Sequence, residues 1–245
     1  MVGCQRVQDV LAEVLDCGYS YPRIDLAGVS FMDSSGLRTF LEWREQFREN
    51  DGDFEVVSVN PVVKRLFEVI GQGEIIVESM ECSAPQTVER APITDCVAAA
   101  DNWAISSFTV AAALQSGKIV RDRVAQMATA MPFSEDQIGE IRLAVGEAMT
   151  NAVRHGGSGK SGVITVRCIG TGDRLIVQIS DDGPGFCPPE PDSICPSGVP
   201  TEGGMGLMCM RQMADEVSFD FTNGTSVTIV KYIGPKPDPV DSGMN

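Results

Sequence analysis

Six residues, Glu147-Ala148-Met149-Thr150-Asn151-Ala152, constrain this chain more than any bulk property. They set an acid and an amide four apart in a helical stretch, so both side chains fall on one helix face and can meet one bound ion or phosphate. Two glycine-rich segments follow in order, Asp181-Asp182-Gly183-Pro184-Gly185 and Gly203-Gly204-Met205-Gly206-Leu207. The order of the three pieces says more than any one of them.

Along the helix from Gln137 to Arg154, Ile138, Ile141, Val145, Ala148 and Ala152 form a packing face, and Glu140, Glu147, Asn151 and Arg154 a polar one. Alone, that pattern describes an ordinary solvated face, and the two loops turn the reading toward chemistry. The strand Leu175-Ile176-Val177-Gln178-Ile179 delivers Asp181 into Gly183-Pro184-Gly185. A dinucleotide-binding reading fails, because prolines follow in place of a helix and two aspartates would repel a pyrophosphate. An aspartate at a strand end can instead accept a hydrogen bond from the exocyclic amine of adenine, with glycines letting the backbone approach the ring. Guanine presents an oxygen there, and a polar mismatch of that kind discriminates by roughly 10⁴-fold. Gly204 and Gly206 run into a helix whose free amides and positive dipole end suit the β and γ phosphates. Asn151 supplies an amide oxygen for Mg²⁺, and Glu147 a carboxylate to orient or deprotonate an attacking hydroxyl. The pieces together describe an ATP site.

The rest of the chain reads as two domains. Val7, Val10, Leu11, Val14 and Leu15 give a first helix from Cys4 to Asp16, and Arg23 to Ala27 alternates as a strand. Asp33-Ser34-Ser35-Gly36 predicts a turn before a helix from Leu37 to Phe47, and Asp53 to Val59 a second strand. Asn60-Pro61 is a strong helix start, and Ile75-Ile76-Val77 closes the unit. Residues 81–104 lack periodicity and read as a linker. Beyond it come a strand at 105–111, a helix at 116–130, the long helix ending at His155-Gly156-Gly157, and strands at 162–168 and 174–180. Residues 188–203 form a proline-rich flap, followed by a helix at 206–213 and strands at 217–221 and 226–232. The expected boundaries are 1–80, a linker at 81–104, 105–235, and a frayed tail at 236–245.

A net charge of −15 argues against a nucleic-acid partner, which needs a positive surface. The eight cysteines contain no C-x-x-C pair and only His155 could join them, so a zinc site is not expected. No basic-then-apolar leader opens the chain, and the run 96–114 is too polar to span a membrane. A cytoplasmic protein with reduced thiols is the expectation.

Over residues 105–233 the chain resembles the GHKL ATP-binding fold, and within it the small bacterial anti-sigma-factor serine kinases. The resemblance rests on E-A-x-x-N-A at 147–152, D-x-G-x-G at Asp181, Gly183 and Gly185, G-x-G at Gly204 and Gly206, and a final G-T at Gly224-Thr225. It implies a catalytic role for Glu147, a magnesium role for Asn151, adenine and phosphate contacts for the others, and a possible phosphate or partner role for Arg121. Histidine kinases share the fold but need a separate phosphoacceptor histidine. The one histidine here, His155, ends the nucleotide helix, so histidine autophosphorylation is disfavoured.

Residues 4–80 resemble the STAS domain of anti-sigma-factor antagonists, through Phe31-Met32-Asp33-Ser34-Ser35-Gly36-Leu37 and Asn60-Pro61-Val62-Val63. There the resemblance implies phosphorylation at Ser34, beside the plainer reading that Asp33 and Ser34 cap a helix. Family members carry two further strands before the first helix, so the expectation is either that the true N-terminus lies upstream or that the sheet is incomplete and covered by another chain or by the second half. The implied fold is a two-domain α/β protein: a STAS-like sheet-and-helix domain lacking its first strands, then a GHKL α/β sandwich, the Bergerat ATP-binding fold. The implied activity is MgATP-dependent phosphorylation of a serine on a STAS partner, Ser34 included, in partner switching. The alternative is a non-catalytic ATP-binding switch or scaffold that sequesters a sigma factor or STAS protein. Either implies a homodimer or hetero-oligomer.

Overall fold

The computed structural model describes residues 2–29, 31–77, 104–156, 162–184 and 204–236. Nearly all of the linker and the tail, and the whole of the proline-rich flap, lie outside them. The described chain divides into two compact units, considered separately.

In the first unit, α1 (Val2–Asp16), α2 (Ser34–Glu49) and α3 (Pro61–Val69) accompany two short parallel strands, β1 (Arg23–Asp25) and β2 (Glu55–Val57). A parallel bridge from Val56 to Ile76 continues the sheet beyond a single 3₁₀ turn, Gly73–Ile75. The strands are shorter than the alternation predicts. Asp53 is diverted into hydrogen bonds from Arg44, Arg48 and its neighbour's N–H, and Ser58 takes a positive φ of 54° that ends β2. The core is aromatic: Phe40, Phe47, Phe54 and Phe67 are buried, with edge-to-face pairs at centroid separations of 5.8 to 6.2 Å.

The segment read as a turn at Asp33–Gly36 is the first turn of α2. Asp33 is its N-cap, accepting from the Gly36 N–H at 3.0 Å, so Ser34 stands at the first helical position. Asn60 caps α3 the same way, accepting from the Val63 N–H at 2.8 Å, while its amide donates to the Val29 carbonyl.

The second unit is a five-stranded antiparallel sheet in the order β3-β4-β5-β7-β6: β3 (Ala104–Ala111), β4 (Val163–Gly170), β5 (Arg174–Asp181), β6 (Glu216–Asp220) and β7 (Thr225–Tyr232). The helices are α4 (Ser116–Thr129), α5 (Glu135–Gly156) and α6 (Gly204–Met213), the last beginning two residues earlier than the glycines suggest. Alternation along β4 and β5 buries every second residue. Register aligns those residues in rows: Val166, Ile179 and Val227, then Cys168, Val177 and Ile229.

Helix α5 lies across this inner face, in contact with β4, β5, β7 and α4. Ser134 and Gln137 begin it with a reciprocal capping box, and the Gln137 amide also reaches the Tyr232 carbonyl at 3.1 Å. Its polar residues are not one solvated face: Glu140 and Glu147 are buried, Asn151 is half-buried, only Arg154 of the four is exposed, and residues 143–149 are buried without a break. A helix held between a sheet and another helix has no water-facing stripe through its middle, so the two-sided pattern of a surface helix does not apply.

Candidate functional site

Asp181 ends β5, and its surroundings are built from residues that lack side chains. A Cβ at Gly156, the last residue of α5, would lie 2.5 Å from the Asp181 Cγ. One at Gly183 would meet the His155 carbonyl at 2.7 Å and the Gly156 Cα at 2.8 Å. Gly224 has φ +99°, and its Cβ would fall 2.1 Å from the Asp181 carbonyl oxygen. Gly156 and Gly183 thus let the end of α5 and the loop after β5 close on the Asp181 carboxylate, while Gly224 lets the turn before β7 pass close to its backbone carbonyl. Gly183 also donates its N–H to Asp181 Oδ1 at 2.8 Å, which fixes the carboxylate's orientation.

Across the ladder, register sets Asp181 opposite Thr225, itself buried. The carboxyl of Asp181 is pushed above its ordinary value, first by burial and then by the neighbouring charge of Asp182. The Gly183 N–H and His155 pull the other way. A desolvated carboxylate is suited to recognising an amine.

Glu147 and Asn151 lie on α5, the helix whose last residue touches Asp181. Glu147 is 1% exposed and Asn151 half-buried. A carboxylate buried in mid-helix is costly unless it is put to use or well partnered. Gly204 and Gly206 occupy the first turn of α6, where backbone N–H groups have no intrahelical acceptor. Gly185 lies outside the described residues. Ser34 stands at the head of α2 in the first unit, half-buried. Among the described residues no group of three or more His, Cys, Asp or Glu is placed to hold a metal, and no helix is long and apolar enough to cross a membrane.

Sequence reasoning missed Gly156. His155-Gly156-Gly157 reads as a helix stop, and nothing local shows that Gly156 must also clear a carboxylate 25 residues further on.

Sheet order, α5 across its inner face and the carboxylate at the end of β5 mark the second unit as an α/β sandwich of the Bergerat ATP-binding class. A family model described as "Histidine kinase-like ATPase domain" matches residues 110–231, and one described as "STAS domain" matches residues 4–90. The anti-sigma F factor of Thermoanaerobacter sp. (strain X514) is 31% identical over 125 residues, covering 49% of this chain and 87% of that protein. The serine-protein kinase RsbW of Listeria monocytogenes serovar 1/2a (strain ATCC BAA-679 / EGD-e) is 35% identical over 112 residues, 42% of this chain and 71% of its own length. RsbW of Bacillus subtilis (strain 168) is 32% identical over 123 residues, 47% and 77% of the two chains. The crystal structure of the RsbU and RsbW domains of Rv1364c from Mycobacterium tuberculosis superposes with a TM-score of 0.40 at 18% identity, covering 52% of this chain and 31% of that one. The chain belongs to the histidine kinase-like ATPase family of anti-sigma factors and RsbW serine kinases, and it carries a STAS domain ahead of that unit.

Proposed function

We propose that this chain is an ATP-dependent serine kinase of the anti-sigma-factor type that phosphorylates a serine on a STAS partner in a partner-switching pathway. The observation that carries the reading is the carboxylate of Asp181, desolvated and closely approached by Gly156 and Gly183 at the end of α5. Relatives named anti-sigma F factor and serine-protein kinase RsbW support it. The recognised partners are a STAS-domain antagonist and a sigma factor.

Each residue then has a task. Asp181 accepts the exocyclic amine of adenine, with Thr225 opposite it. The first-turn amides of α6, at Gly204 and Gly206, receive the distal phosphates. Asn151 offers a hard amide oxygen, a donor type that fits Mg²⁺, which keeps several of its places for phosphate oxygens and waters. The ion, when bound, neutralises charge on the transferring phosphoryl group. Glu147 takes the proton from the attacking serine hydroxyl as the new Oγ–P bond forms and the bond from the γ phosphorus to the β-phosphate bridging oxygen breaks, releasing ADP. Ser34 is one acceptor we propose. A phosphate at the first position of α2 is favoured by the helix dipole, and it adds charge to a surface a partner could read.

The test is incubation with MgATP, with and without a STAS substrate, followed by intact mass and phosphosite mapping. Wild type is expected to label a STAS serine, Glu147→Ala to bind MgATP without labelling, and Asp181→Asn to do neither. Nucleotide binding by wild type with no label on any STAS serine would favour the non-catalytic switch.

A further inference from the structure

The inner face of the second sheet is apolar in its middle and polar at both ends. One end is the Asp181–Thr225 row. Two apolar rows follow, and the last row pairs Gly170, Leu175 and Lys231. Lys231 is 7% exposed, on a face whose two intervening rows on β4, β5 and β7 are Val, Ile and Cys. Its ammonium lies 2.6 Å from Glu140 Oε2 on α5, itself 4% exposed, and donates to the carbonyl of Met213, the last residue of α6, at 3.0 Å. Asp215 Oδ1 stands 3.5 Å away, and the other oxygen of Asp215 accepts the Tyr232 N–H at 2.7 Å.

A buried ion pair is an expensive way to hold a fold together, since well-packed apolar residues of similar volume serve as well or better. What the pair adds is direction: one ammonium joins the amino-terminal part of α5 to the carboxyl end of α6. These are the two helices that also carry Glu147, Asn151 and Gly156 on the one and Gly204 and Gly206 on the other. Along β5, Leu175 and Asp181 are six residues apart, roughly 20 Å at strand rise. From Glu140 to Gly156, α5 covers roughly 24 Å at helical rise. Helix α5 is therefore fastened to the β5–β7 ladder at both ends, by the close approach of Gly156 to Asp181 and by Glu140 on Lys231.

We propose that Lys231 is a positioning residue for nucleotide binding, holding α5 and α6 in register through Glu140 and the Met213 carbonyl, about 20 Å from the adenine end. This rests on the ATP reading above. Displacements of about 1 Å transmitted from such a distance can cost up to about a hundredfold in function. The test measures MgATP affinity by calorimetry and stability by urea unfolding on the full chain and on Lys231→Met, Lys231→Met/Glu140→Met and Glu140→Gln.

Lys231→Met leaves Glu140 buried without its cation and is expected to lower both stability and affinity. The double variant removes the stranded charge, so stability should recover while MgATP binding stays at least about tenfold weaker than wild type. Recovery of affinity along with stability would overturn the proposal, because the pair would then be only a structural contact. If the double variant does not fold, Glu140→Gln decides: it keeps the side chain's shape and an acceptor, weaker MgATP binding supports the proposal, and unchanged binding overturns it. Wild-type chain that takes up no MgATP would contradict the nucleotide reading itself, a result distinct from either outcome for the variants.

Discussion

Asp181 sits where recognition and stability pull against each other. Burial holds its carboxyl above the ordinary value of 3.8, so the folded chain binds that proton more readily than the unfolded chain does. The sign follows: the ionised group costs stability at neutral pH, and the cost is relieved as pH falls from its raised value toward 3.8. Adenine recognition needs the ionised acceptor, so MgATP affinity should decline across that same window, starting above the range of an ordinary aspartate. Calorimetry against pH checks this. Asp181→Asn keeps an oxygen for the Gly183 N–H and removes the desolvated charge. It is expected to leave the apo protein at least as stable in urea at pH 7 while abolishing MgATP binding. Gly156→Ala makes the converse point. Alanine favours a helix over glycine by about 1 kcal/mol, yet its methyl group would stand 2.5 Å from the Asp181 Cγ. The variant should keep α5 by circular dichroism and lose MgATP binding.

At the scale of elements, what was legible in the sequence tracks how local its cause is. The Asn60-Pro61 start of α3 is decided within a few residues, and the structure has it as read. Glu140 and Glu147 were assigned to a polar face because charge pattern speaks only of neighbours along the helix, and the sheet and α4 that bury them are distant in sequence. The late start of β2 was equally hidden, since it depends on Arg44 and Arg48 drawing Asp53 out of the strand. Arg44 is buried, with its guanidinium on Asp53, Gln72 and Glu74. Burial alone would raise the Asp53 carboxyl, but hydrogen bonds from Arg44 and the Phe54 N–H hold it below its ordinary value. That stabilisation is complete above pH 3.8 and is lost as pH falls through the depressed value. Asp53→Asn should destabilise the first unit by about 1 kcal/mol in urea at pH 7, because Arg44 keeps Gln72 and Glu74 but loses its two-pronged carboxylate partner.

For the whole molecule, the two units have separate cores, an aromatic one around Phe40, Phe47, Phe54 and Phe67, and an aliphatic one between the five-stranded sheet and α5. Motif order identified both domains, as the family matches show, and named the residues proposed to hold the nucleotide, because adenine and phosphate chemistry need particular side chains at particular chain positions. It did not show the two fastenings of α5, since each joins residues far apart in sequence through the absence of a Cβ or through an inward-facing lysine. The central claim is that a carboxylate walled by glycines reads the adenine of MgATP. Calorimetric titration of the intact chain with MgATP and then with MgGTP tests it most directly. The account predicts saturable heat with MgATP and binding weaker by roughly 10⁴-fold with MgGTP. Equal affinity for both nucleotides, or no heat with either, would contradict it.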